Sequence, residues 1–241
     1  MKKVWNLPCF FAGTVKGEVV SLDDREARHI YINRISIGER IIAIDGKGKR
    51  YISRLVELRK TFAKAIIEET EVVSEANPRL ILGFSTPSPQ RLDWLIEKAT
   101  EIGLYAFQPI YFERSIRRSI PHPDRLEQKM KEALKQSLGG FLPRISQSSK
   151  IGDIDLASYD AVLIATPHGK YLSDLPQKGS ILLLIGPEGD FTASEESMLM
   201  NLPNSHTITL GNSRLRLETA CICLLSHVSL RIHERNNSKP V

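Results

Sequence analysis

The chain holds 241 residues, room for one or two domains, with 41% hydrophobic and 25% charged side chains and a net charge of +5. That mixture excludes a disordered, collagen-like or disulfide-scaffold chain, and no apolar run approaches the roughly 18 residues of a membrane span. The positive surplus permits an anionic partner without requiring one.

At the start, Lys2 and Lys3 precede an apolar stretch that Asn6 and Pro8 interrupt, which favours a first strand over a signal peptide. Residues 1–73 read as β throughout, with strand-like Val- and Ile-rich runs at 17–22, 40–44, 50–58 and 62–67. Asp45-Gly46 lies between two of these runs and signals a hairpin. The short, regular spacing predicts a small barrel or sandwich. The same stretch is basic, with Arg25, Arg28, His29 and Arg34 among its cations. A polar segment ending in proline, Ser74-Glu75-Ala76-Asn77-Pro78, marks a linker between domains at 1–73 and 79–241.

Beyond the linker the periodicity changes. Residues 80–84 read as a buried strand. Ser88 and Pro89 then offer an N-cap and an N1 proline, Leu92, Leu95, Ile96 and Ala99 follow at helical spacing, and Gly103 stops the helix. Residues 107–111 read as a second strand. Leu126, Met130, Ala133 and Leu134 mark a second helix closed by Gly139-Gly140. The continuous apolar runs 161–165 and 181–185 predict strands buried on both faces. Thr192 and Glu195 form a capping box, 207–210 is a further strand, and Cys221, Leu224, Leu225, Val228 and Ile232 line one face of a last helix. From about Arg235 the tail is polar and expected to fray. Strands alternating with helices predict a parallel α/β sheet.

Several chemistries are missing. No GxxxxGK[ST] loop, GxSxG elbow or HExxH pair occurs, and no GxGxxG follows a strand. The histidines lack metal-ligand spacing, so no metal is expected. The three cysteines, Cys9, Cys221 and Cys223, form no CxxC pair and read as reduced, mostly buried thiols of a cytosolic protein. Two segments stand out. In Leu184-Ile185-Gly186-Pro187-Glu188-Gly189 a buried strand runs into a Gly/Pro turn, which serves either a ligand beyond the strand end or only a tight turn into the next helix. In Leu210-Gly211-Asn212-Ser213-Arg214-Leu215-Arg216-Leu217-Glu218-Thr219-Ala220 two arginines and a glutamate crowd a strand-to-helix loop. That second segment serves either a functional site or only a surface ion pair with a helix start.

Together these segments resemble the RsmE-type family of the SPOUT RNA methyltransferases. The resemblance extends to Gln90-Arg91-Leu92-Asp93-Trp94-Leu95-Ile96-Glu97-Lys98-Ala99-Thr100-Glu101-Ile102-Gly103, to Glu113-Arg114-Ser115, to Gln136-Ser137, and to Phe10-Phe11, His29 and Asp45-Gly46 near the start. It implies an N-terminal PUA-like small β-barrel and a C-terminal SPOUT α/β-knot domain with a deep trefoil knot. It also implies a cytoplasmic homodimer, without membrane or metal, that methylates N3 of a specific uridine in the RNA of the small ribosomal subunit from S-adenosylmethionine. By the same resemblance Thr166, Pro167, Ile185, Gly186, Pro187, Glu188, Gly189, Leu210, Gly211, Arg214 and Leu215 would hold the cofactor. Arg216 would stabilise charge developing on the uracil oxygens. Glu218 would serve as a base only if burial raised its pKa, and is preferred as the orienting partner of an arginine. Arg25, Arg28, His29, Arg34 and Arg114 would contact RNA. The chain departs from the family pattern at Asp190, Ser213, Leu217 and Leu138-Gly139-Gly140. Alternative readings are the same chemistry on another RNA such as tRNA, or a non-catalytic RNA-binding factor in ribosome assembly.

Overall fold

A computed structural model of the chain describes residues 6–170, 176 and 179–237. Its contacts separate two units: residues up to Glu75 together with Lys131–Leu142, and Ala76–Met130 together with the chain from Pro143 onward.

The first unit is built on a six-stranded sheet of β1 (Cys9–Phe11), β2 (Thr14–Lys16), β3 (Val19–Leu22), β4 (Arg40–Ile44), β5 (Lys49–Leu58) and β6 (Ala63–Val72), in the order β1-β4-β5-β6-β3-β2. β1 joins β4 in parallel and the other pairs are antiparallel. The Asp45 carboxylate shapes the β4–β5 turn by accepting from the amides of Lys47 at 2.7 Å and Lys49 at 2.9 Å. Gly46 has φ +66, and a side chain there would press on the Phe11 ring. Register shifts between Ile52 and Ser53 and between Leu55 and Glu57 bend the two long strands, as bulges do.

The first unit is not all β. Residues 24–32 form α1 (Asp24–Ile32). Asp23 caps it by accepting from the Glu26 amide at 3.0 Å, Asp24 and Glu26 place negative charge in the first turn, and Ala27 and Ile30 bury one face in the core with Phe10, Val20 and Leu55. The residues expected to begin a first strand include 1–5, which lie outside the described residues.

The second unit carries β7 (Arg79–Phe84), α2 (Pro89–Ile102), β8 (Ala106–Tyr111), the part of α3 (Pro123–Ser137) up to Met130, β9 (Arg144–Ile145), β10 (Ser149–Lys150), β11 (Ala161–Lys170), β12 (Ser180–Ile185), α4 (Ala193–Met200), β13 (Ser205–Ile208) and α5 (Leu217–Asn237). Every pair in its sheet is parallel, in the order β10-β8-β7-β12-β11-β13, with β9 also on β8. Residues 161–164 of β11 and 181–185 of β12 are buried throughout, which accounts for their uninterrupted apolar sequence. α2 begins at Pro89 and ends at Gly103 in the left-handed region, φ +92, although the Ser88 side chain makes no capping bond. Leu92, Leu95, Ile96 and Ala99 of α2 and Cys221, Leu224, Leu225 and Val228 of α5 are all buried, as their spacing requires.

Three further sequence expectations change. The end of α3 clusters with the first unit rather than the second, because Leu134 and Leu138 pack with Ile42 and Ile44 and the buried Lys135 pairs with Glu26 at 2.7 Å. α5 continues through Asn237, past the point where the tail was expected to fray, and residues 238–241 lie outside the described residues. Of the cysteines only Cys221 is buried, Cys9 being half-buried and Cys223 exposed. Burial pushes the Cys9 thiol up to about 12, so it stays protonated. No helix among the described residues is long and apolar enough to cross a membrane.

Candidate active site

Adjacent parallel strands share an edge, where the chain leaving β12 and β13 meets the part of β11 that lies beyond its last pair with β12, Ile164 opposite Leu184. A cavity of about 990 Å3 occupies that edge, within a wall formed by residues from all three exits.

The first exit contributes Ala165, Thr166 and Pro167. The sequence places a loop here, whereas β11 runs on to Lys170. Both descriptions meet in the register: Ala165 and Lys170 both lie opposite Ile208, so 166–169 leave the ladder as a bulge toward the cavity. Gly169 is required at its return, where a Cβ would stand 2.2 Å from the backbone of Ile208.

The second exit contributes Ile185, Gly186, Pro187, Glu188, Asp190 and Phe191. Gly186 lies against the Phe191 ring, 2.8 Å from where a Cβ would sit. The Asp190 amide closes the turn onto the Pro187 carbonyl at 3.0 Å, and Asp190 itself takes φ +62. Aspartate is among the few residues besides glycine that tolerate the left-handed region. The Asp190 carboxylate accepts from the Phe191 amide at 2.9 Å. Thr192 and Glu195 then form the expected capping box at the start of α4.

The third exit contributes Leu210 through Leu217, with Gly211 at φ +110. Arg214 and Arg216 are exposed on it, and their side chains have no hydrogen-bond or ion-pair partner among the described residues. Glu218, in the first turn of α5, lies behind this wall at 8% exposure and does not line the cavity. Its partner is neither of the loop arginines. Arg91, on α2, holds its Nε 3.6 Å from Glu218 Oε1 and donates from Nη1 to Glu188 Oε1 at 2.7 Å. One guanidinium thus ties the β12 loop to the start of α5. Glu218 Oε2 is buried with no hydrogen-bond partner among the described residues. Burial, and after it the charge of Glu218, pushes the neighbouring Cys221 thiol up.

Gly189 also lies outside the lining residues. Its carbonyl accepts from Arg114 Nη1 at 3.0 Å, and the Phe191 carbonyl accepts from the same nitrogen at 3.1 Å. Arg114, expected to meet RNA, is therefore a brace on the β12 loop. Glu195 adds a second brace, accepting from the Glu113 amide at 2.8 Å.

The other residues expected to meet RNA belong to the first unit. Arg25 pairs with Glu132 at 3.1 Å and Arg28 with Asp24. The His29 Nδ1 is 3.4 Å from Lys135 Nζ and 3.7 Å from Glu26 Oε2. Arg34, at φ +56, is exposed; its amide donates to the Tyr31 carbonyl at 3.1 Å, and its side chain has no ion-pair or hydrogen-bond partner among the described residues. The sequence reading passed over Arg91 as a site residue. Its only local signal was a cation at the N-terminal end of α2, where the helix dipole disfavours one. Among the described residues no three potential metal-ligating side chains cluster.

Comparison with known proteins places this geometry. The RNA methyltransferase domain model matches residues 74–229, and the RNA methyltransferase PUA domain model matches residues 22–68. The chain is 27% identical over 228 residues to the ribosomal RNA small subunit methyltransferase E of Bacillus subtilis, covering 87% of this chain and 89% of that protein. It is 24% identical over 223 residues to the enzyme of the same name from Aquifex aeolicus, covering 90% and 96%. The crystal structure of the Neisseria gonorrhoeae ribosomal RNA small subunit methyltransferase E bound to S-adenosyl methionine superposes with a TM-score of 0.81 at 26% identity, over 94% of this chain and 98% of that one. The architecture is that of a SPOUT methyltransferase with an N-terminal β-barrel-like PUA domain. With its domain model spanning well over half of its length, this chain belongs to the RNA methyltransferase family.

Proposed function

We propose that this chain transfers a methyl group from S-adenosylmethionine to N3 of a uridine in small-subunit ribosomal RNA. One observation carries the reading: Arg216, whose side chain has no partner among the described residues, stands on the wall of a ligand-sized cavity built along one edge of a parallel sheet. The names of the relatives and the cofactor in the Neisseria structure support it.

The cavity fits the cofactor. Its volume of about 990 Å3 falls within the usual range for small-molecule sites. Ile185, Leu215 and Leu217 supply apolar wall, and Gly186 and Gly211 leave backbone open to close approach. Thr166, Pro167, Pro187, Glu188, Leu210 and Arg214 complete the holding set, and Gly189 acts through the turn rather than by contact. When bound, S-adenosylmethionine supplies a methyl group already activated for transfer.

The remaining chemistry falls to the protein. N3 of uracil carries a proton, and its loss leaves negative charge shared with the ring oxygens. Arg216 is permanently charged and has no internal partner among the described residues, so it is free to stabilise that charge. Glu218 is buried beside Arg91 and acts as an orienting group. The target base must also leave its stack to expose N3. The reading places the enzyme in the cytoplasm as a homodimer.

The test is transfer of labelled methyl to small ribosomal subunits from cells lacking this protein, with the product mapped. Label at N3 of one uridine is expected. Label on a ribose oxygen, on another base or on tRNA overturns the assignment. Cofactor binding without transfer to any RNA supports a non-catalytic assembly factor instead.

A further inference from the structure

The loop after β8 combines a fixed base with a bare, cationic tip. At its base, Ser115 Oγ lies 2.9 Å from Ser85 Oγ and accepts from the Phe112 amide at 2.8 Å. The Glu113 amide donates to Glu195, and Arg114 reaches the carbonyls of Gly189 and Phe191. The Phe112 and Phe191 rings meet edge to face, 5.2 Å between centroids. Directly beyond this anchorage Ile116 is 80% exposed, and Arg117 and Arg118 are exposed with no hydrogen bond or ion pair among the described residues. Arg118 rests only over the Tyr111 ring, at 5.9 Å. Through Arg114 the tip is fixed to the same turn that contributes Asp190 and Phe191 to the cavity wall.

We propose that Ile116, Arg117 and Arg118 form a docking platform for the RNA strand flanking the target nucleotide. This rests on the methyltransferase reading above. Side chains left bare on a loop gain nothing for the fold. Two adjacent permanent cations without acidic partners among the described residues suit phosphate oxygens, and an exposed isoleucine between a fixed loop and those cations suits the face of an unstacked base or a sugar. The hydrogen bonds at the loop base hold this platform in register with the β12 turn, so a strand docked there is positioned against the cavity rather than merely attracted to the surface. The role expected of Arg114 thus passes to its neighbours, while Arg114 sets where they stand.

The experiment measures binding of the full-length protein to purified small-subunit ribosomal RNA over a salt series, alongside S-adenosylmethionine affinity by calorimetry. Replacing Arg117→Ala and Arg118→Ala together is expected to lower the slope of log K against log salt by about 1.4 to 1.8, which is two phosphate contacts. Cofactor affinity is expected to stay within about twofold, showing that the cavity is intact. The Arg117→Lys, Arg118→Lys variant should retain the slope, because it keeps the charges. An unchanged slope in the alanine variant overturns the platform while leaving the enzyme reading in place if the wild type still methylates. Wild-type protein that neither binds nor methylates this RNA overturns both. A change in sedimented mass on Ile116→Asp, with RNA binding unaltered, would instead make this tip a contact between copies of the chain and overturn the proposal.

Discussion

The first unit and the cavity rim are both rich in cations, but they differ in what those cations touch. In the first unit Arg25, Arg28 and Lys135 each face a carboxylate, and the Lys135–Glu26 pair is buried, with side chains 9% and 6% exposed. On the rim Arg214 and Arg216, and beyond it Arg117, face no acid among the described residues. Positive charge in a sequence is therefore not the same as charge available to a ligand. Where the pair is buried it fixes the fold. Where it is exposed, as for Arg25 and Arg28, it is weak, worth about 0–1 kcal/mol, and yields readily to a competing phosphate.

The sharpest contrast is Lys135→Ala. It leaves Glu26 buried without its cation and should cost about 3–5 kcal/mol in urea unfolding, whereas the double replacement Glu26→Met, Lys135→Met should recover most of that loss. A cost below about 1 kcal/mol for the single variant would mean that the pair is not structural. Next comes Gly186→Ala. Its Cβ would meet the Phe191 ring at 2.8 Å, so the β12 turn must move. Overpacking of about 1–3 kcal/mol corresponds to a loss of cofactor affinity of about 5- to 150-fold, read by calorimetry. Unchanged affinity would detach this turn from the cofactor. Asp190→Gly should be neutral or stabilising by up to about 1 kcal/mol in thermal unfolding, since it releases a left-handed residue but gives up the bond to the Phe191 amide. Marked destabilisation would show that the aspartate side chain matters more than its backbone angle. The smallest effect separates the arginines of the first unit. Arg34→Ala should lower the salt slope of RNA binding by about 0.7 to 0.9, and Arg25→Ala and Arg28→Ala by less. Equal slopes for all three would erase the distinction between paired and unpaired cations.

Periodicity and capping residues made most of the second unit legible. Pro89 and Gly103 bound α2, the Thr192–Glu195 box opens α4, and the unbroken apolar runs are the buried strands β11 and β12. The helix α1 was hidden because Ile30, Tyr31 and Ile32 look strand-like, and its true signals are the Asp23 cap and the Ala27–Ile30 face. The partition of α3 was hidden for a different reason. It depends on contacts of Leu134 and Lys135 with residues 90 or more positions away, which no local window contains. The loops of the site were found from their glycines and their place after buried strands. The wiring between them was not: Arg91 reaches Glu188 and Glu218, and Arg114 reaches Gly189, across sequence gaps that only the sheet order closes.

The central claim is that Arg216 acts on the reacting base while the loops around it hold the cofactor. It is tested most directly by single-turnover methyl transfer with Arg216→Ala, measured beside S-adenosylmethionine affinity in the same protein. The account predicts a rate lower by about 100- to 1,000-fold, as for loss of one preorganised charge-stabilising group, with cofactor affinity nearly unchanged. Parallel losses in rate and affinity would contradict it, and would make Arg216 a cofactor-binding residue.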